Sequence, residues 1–345
     1  MSRIHLPKLD WSWQAGPPVE SAVQKWQERL RQVTRQWMRA GAPVTDWLYA
    51  YNALRTDLLR CMWNEMIPED HRVDIEYITL GSTARQEDVF DSDLDYALLL
   101  HKPVNMEAVR PQLYRFVERM DALGFPPCKG FVMGTNVRWS GTVEEWQQRV
   151  QSYFQFPDWE NVRYLFILLD SRVLTGQSLT HEQGDWEQLR SSVQEQLRLA
   201  PYLCWEMAHL GIQNTVSKAR VNPAVLRFGH GSIDIKNGLL NPVLHSIRLL
   251  AVAHQVFAVN TERRLLELTR CGALDRDLMH RLEGCVDYAW RTRIKQYIDS
   301  PYTETSTHEV PLFRMSLEQR HTLARHLDTA KKLERMILRR FRKPR

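Results

Sequence analysis

A Gly-Ser turn between two apolar runs, the second entered through a pair of aspartates, constrains this chain more than any other feature. In YITLGSTARQEDVFDSDLDYALLL, residues 77–100, the runs Tyr77 to Leu80 and Leu94 to Leu100 read as strands. The polar segment after Gly81-Ser82 has room for a short helix. Asp93 and Asp95, at i and i+2 on a strand, point to one face. Neighbouring carboxylates repel unless a cation lies between them, and hard oxygen ligands suit magnesium. Glycine allows close backbone approach, and a Gly-Ser turn opening a helix offers backbone N–H groups and a hydroxyl to a phosphate. The segment therefore predicts a small sheet carrying metal and phosphate chemistry.

The pattern G-S-x-x-R-x-E followed by S-D-x-D falls on Gly81, Ser82, Arg85, Glu87, Ser92, Asp93 and Asp95. It resembles the DNA polymerase β-type nucleotidyltransferase superfamily. More closely, it is similar to the bacterial nucleotidyltransferases related to the GlnD uridylyltransferase domain, which often stand behind CBS or cyclic-nucleotide-binding domains. CKGFVMGTNVRWSGTVEEW (128–146), LLDSRVLTG (168–176) and IDIKNGLLNPVLHSIRLLA (233–251) extend the resemblance over most of the chain. It implies Mg2+ (or Mn2+) on Asp93 and Asp95 and a nucleoside triphosphate such as ATP as donor. It further implies a hydroxyl acceptor on a protein or small molecule, with pyrophosphate released. Gly81 and Ser82 would meet the phosphates. Arg85 either reaches the triphosphate or pairs with Glu87 or Asp88. Lys236 either serves as a phosphate-binding point charge or pairs with Asp234; Arg227 and His230 flank its loop.

The chain departs from the family at Ala84, Leu94 and Tyr96. The superfamily's third carboxylate lies on a following strand, which falls here near Cys128 to Met133 and carries no acid. Asp170 is the substitute candidate, with pairing to Arg172 or capping of a turn as the plainer role. These departures keep open a second class, a nucleotide-sensing regulatory protein without turnover. The basic tail KKLERMILRRFRKPR keeps open a third, an RNA-directed transferase. The plain reading of that tail is a docked terminal helix with Leu333, Met336, Ile337, Leu338 and Phe341 on one face.

The net charge of +5 suits an anionic substrate without demanding nucleic acid. No apolar run spans a membrane and no signal-peptide pattern opens the chain, so the expected location is cytoplasmic. Five cysteines without C-x-x-C spacing point to a reducing compartment and away from structural zinc. The expected fold is α+β. A lead-in and helices occupy 1–70, a small mixed-sheet nucleotidyltransferase domain 71–180, and a helical C-terminal domain 181–345. Periodicity predicts helices at 23–39, 44–66, 105–123, from Thr142 onward, and at 161–173, 186–199, 203–219, 239–258, 261–270, 275–297 and 316–341. Strands are expected at 73–80, 94–100 and near 128–133.

Overall fold

A computed structural model describes residues 20–175, 184–213, 231–299 and 308–342. The N-terminal lead-in, Arg227, His230 and the last three residues of the basic tail lie outside them. Two compact units are separated, one of residues 1–151 with 170–190 and one of 152–169 with 191–345.

The first unit opens with helices α1 (Glu20–Arg39) and α2 (Val44–Met66), followed by the short α3 (Glu69–Arg72). Strand β1 (Ile75–Leu80) leads directly into α4 (Gly81–Arg85), and β2 (Tyr96–Leu100) returns antiparallel to β1, with Tyr77 opposite Leu98. After α5 (Met106–Ala122) come β3 (Ser140–Thr142), parallel to β2, and later β4 (Ser171–Thr175), antiparallel to β1. The mixed sheet runs β3-β2-β1-β4. Apolar β1 and β2 are buried along their whole length because they form the centre of this sheet.

An aromatic core backs the sheet. Tyr77 and Tyr96 stack with ring centroids 4.8 Å apart, and Phe116 of α5 meets both edge-on, at 5.7 and 5.9 Å. Trp63 of α2 closes the group at 5.1 Å from Tyr77. Such pairs add about 0.5–1.5 kcal/mol each beyond the area they bury.

Two sequence expectations need correction. Residues 128–133 form no strand. Phe131 takes a left-handed φ of 55° and its N–H bonds to the Cys128 carbonyl at 3.0 Å, so the chain turns there and β3 fills the edge of the sheet. The helix expected over 161–173 ends at Leu169, where α7 (Trp159–Leu169) stops, and Ser171–Thr175 joins β1 as β4. The ladder hydrogen bonds outweigh the helical period of so short a segment. Helix α6 (Val143–Gln155) begins with the expected cap: Thr142 N–H donates to Glu145 Oε2 at 2.8 Å, and Glu145 N–H to Thr142 Oγ1 at 3.4 Å.

In order, α8 (Asp185–Leu199), α9 (Pro201–Gln213), α10 (Asn241–Ala253), α11 (Thr261–Arg270), α12 (Arg276–Asp299) and α13 (Leu317–Arg340) follow. A two-stranded ladder pairs β5 (Ser232–Asp234) with β6 (Glu309–Pro311) in the second unit. Leu323, Leu327, Leu333 and Ile337 bury one face of α13, so its first basic-tail turns dock as a helix. No helix among the described residues is long and apolar enough to cross a membrane.

Candidate active site

Burial alternates through Ser92, Leu94 and Tyr96, which are buried, and Asp93 and Asp95, which are partly open. This is the two-residue period of an extended chain. It sends the acids to one face and the family departures Leu94 and Tyr96 into the core. Those departures therefore leave the acid face unchanged.

A buried polar clamp holds the acid segment from below. Arg55, on the core stripe of α2 and 1 % exposed, donates from Nη1 to the Ser92 carbonyl at 3.0 Å and from Nη2 to the Asp93 carbonyl at 2.8 Å. Its Nε lies 3.0 Å from Asp88 Oδ2, and its guanidinium sits 4.6 Å above the Phe125 ring. Asn52, one turn earlier, accepts from Asp88 N–H at 3.0 Å and donates to the Asp88 carbonyl at 3.2 Å. Ser92 Oγ accepts from Val89 N–H at 2.9 Å. The clamp thus ties the backbone of the acid segment to a buried ion pair, and buried polar networks of this kind favour one geometry. Sequence reading missed Arg55, Asn52 and Asp88 as positioning residues. The signal for Arg55 and Asn52 was a charge and an amide on an apolar helical stripe, between Tyr51 and Leu58, where burial demands partners.

The segment after α5 completes the cluster. Leu94 N–H donates to the Pro126 carbonyl at 2.8 Å and Tyr96 N–H to the Val132 carbonyl at 3.0 Å. These bonds bracket Cys128 and bring its Sγ beside the two acids. One ligand atom each from Asp93, Asp95 and Cys128 lie within 4.8 Å of one another. Burial, followed by the neighbouring Asp93 charge, pushes the Asp95 carboxyl up to about 6. Burial and the Asp95 carboxylate push the Cys128 thiol up to about 12. A divalent cation would relieve both costs, and the donor set of two carboxylates and a sulfur fits one. Gly81, at φ 57°, lets the turn pass close to this acid: a Cβ there would lie 2.7 Å from Asp95 Oδ2.

The other candidates are placed as follows. Ser82 Oγ donates to Asp88 Oδ1 at 2.6 Å, tying the Gly-Ser turn to the clamp. Gly81 N–H donates to the Asp170 carbonyl at 2.9 Å, so β4 and the turn are joined through the backbone. Arg85 donates from Nη1 to Asp170 Oδ2 at 2.6 Å and from Nε to Glu87 Oε2 at 2.8 Å. Burial works against the Arg85 charge, but Asp170 and Glu87 outweigh it and raise its pKa. The Asp170 carboxylate therefore meets Arg85, not Arg172, and it stands outside the Asp93–Asp95–Cys128 cluster. Lys236 lies in the second unit, at the first position of a wide helical turn, Lys236–Leu240. Asp234 is taken by Asn237, through its N–H and Nδ2 at 2.8 Å each, rather than by the lysine.

Two family models match the chain. Residues 28–160 match "Putative nucleotidyltransferase DUF294", and residues 205–341 match "Putative nucleotidyltransferase substrate binding domain". No curated protein matches the chain. The first match contains the clamp, the Gly-Ser turn and all three members of the Asp93–Asp95–Cys128 cluster. Together the two matches, one behind the other, support a nucleotidyltransferase family for this chain.

Proposed function

We propose that the chain transfers a nucleoside monophosphate from a nucleoside triphosphate to a hydroxyl acceptor, with divalent metal held by Asp93 and Asp95. The observation that carries this reading is the convergence of two partly open carboxylates beside a glycine whose missing side chain leaves room at Asp95. Bound magnesium or manganese would supply charge neutralisation at the triphosphate and at the attacking oxygen. Transfer of this kind asks the protein chiefly for positioning and electrostatics. Arg55 and Asn52 do the positioning by fixing the backbone that carries Asp93. Gly81 and Ser82 would face the phosphates, and rotation of Ser82 away from Asp88 would free its hydroxyl to donate to one. Arg85, held between Glu87 and Asp170, would orient the turn and keep a positive charge beside the triphosphate. Lys236 is proposed as a further phosphate contact. The substrate-binding description of the second match supports placing the acceptor on residues 205–341.

Labelled ATP, UTP, GTP and CTP, each incubated with the chain and clarified lysate, test this. Label should move to a protein or small molecule with magnesium or manganese present, and Asp93→Ala or Asp95→Ala should reduce transfer at least about a hundredfold. Unchanged transfer in both variants would overturn the assignment. A second reading, nucleotide sensing without turnover, draws on the engagement of Asp170 by Arg85. It expects metal-dependent nucleotide binding with no label transferred and no pyrophosphate formed.

A further inference from the structure

The five cysteines of the chain do different things. Cys204 and Cys285 are buried and turn their thiols to backbone carbonyls, Leu197 at 3.1 Å and His326 at 3.3 Å. These are the contacts of structural thiols packed into helical layers. Cys271 does the same with Leu268 at 3.3 Å, and Cys61 stands exposed on α2. Cys128, only 7 % exposed, instead faces the Asp93 and Asp95 carboxylates. The backbone is built to keep it there: the Pro126 and Val132 carbonyls anchor its segment to Leu94 and Tyr96, and the left-handed Phe131 closes the turn behind it. A left-handed φ is costly for a bulky side chain and persists only where its surroundings impose it.

We propose that Cys128 is the third protein ligand of the metal site, and that its sulfur shifts the preference of that site from magnesium toward thiophilic divalent ions. The inference rests on the assignment of Asp93 and Asp95 as metal ligands. A site of oxygens alone holds hard ions such as Mg2+; adding a thiolate favours Zn2+, Co2+ and Cd2+. On ligation the S–H bond gives way to a sulfur–metal bond and the proton passes to solvent, so no oxidant or reductant is involved. The site would then bind zinc or cadmium tightly while retaining the geometry for magnesium or manganese on its two carboxylates.

The test is a titration of the whole, metal-free chain with Co2+ and Cd2+ alone, followed by absorption spectroscopy and calorimetry. Wild type should develop the near-ultraviolet sulfur-to-cobalt charge-transfer band at one equivalent. Cys128→Ser, which keeps the other four cysteines, should lose that band and bind Cd2+ at least about tenfold more weakly. Its Mg2+ affinity should change much less. Asp93→Asn/Asp95→Asn should lose binding altogether. Co2+ binding that requires the two aspartates but shows no sulfur band in wild type would overturn the role of Cys128 and leave the carboxylate site standing. A band that persists in Cys128→Ser would assign it to another cysteine and overturn the proposal as well. Failure of wild type to bind any of the ions would overturn both assignments. The wild-type spectrum decides the matter even if the serine variant folds poorly.

Discussion

The two regions proposed to meet the nucleotide are built in opposite ways. In the first unit, the acid loop is held by buried groups: Arg55, Asp88 and Asn52 lie at 1 %, 0 % and 3 % exposure, Arg55 paired with Asp88 and Asn52 bonded to its backbone. In the second unit, Lys236 is half-exposed, and among the described residues it forms no ion pair. A metal site needs its ligands fixed to fractions of an ångström before the ion arrives. A lysine that serves a phosphate needs only to reach it, and a flexible stem does that. On the proposed function, rigidity is required at the carboxylates, whose repulsion must be held in place, and not at the point charge.

Breaking the clamp should have the largest effect. Arg55→Ala leaves the Asp88 carboxylate buried and without its cation, so a loss of about 3–5 kcal/mol is expected, read by chemical denaturation. Lys236→Ala should change stability by no more than about 0.5 kcal/mol while raising the KM for the triphosphate. Equal destabilisation by the two substitutions would erase the contrast.

Gly81→Ala sharpens it. The new methyl would combine a left-handed φ with a 2.7 Å approach to Asp95 Oδ2, a cost of about 1–2 kcal/mol. Metal affinity, followed by calorimetry, should fall by more than the melting temperature suggests. A variant with wild-type metal affinity would show that Asp95 does not need this geometry.

Much of this arrangement was legible in the chain. Alternation and the Gly-Ser turn point to β1 and β2 and to the face of Asp93 and Asp95, because those signals are local. Helical periodicity finds α2 and α13 for the same reason. Cys128 was not legible as a neighbour of the acids: no spacing rule links position 128 to 93 and 95, and the backbone pairings of Leu94 with Pro126 and Tyr96 with Val132 bring them together. Nor was β4, whose five residues continue an apolar helical run and become a strand only by pairing with β1. Asp170 is the sequence's candidate third carboxylate, and the partner that defines its surroundings, Arg85, is 85 positions away, beyond the reach of any local signal.

The smallest expected effect lies in the second unit and concerns pH. Burial, reinforced by Arg325 and opposed by Asp287, lowers the pKa of His326 below its ordinary 6.5. The unfolded chain then binds the proton more readily than the folded one. The cost is absent above about pH 6.5 and grows as pH falls below that value. Thermal melts should therefore lose stability on acidification, and His326→Gln should flatten that part of the profile without touching metal binding in the first unit.

The most direct test of the central claim is equilibrium dialysis of labelled ATP against the purified chain, with Mn2+ present and again after chelation. Metal-bridged binding predicts retention that requires both the metal and the two carboxylates, so that Asp93→Asn/Asp95→Asn resembles the chelated wild type. Retention of nucleotide with equal affinity in chelator, or in the double variant, would contradict it.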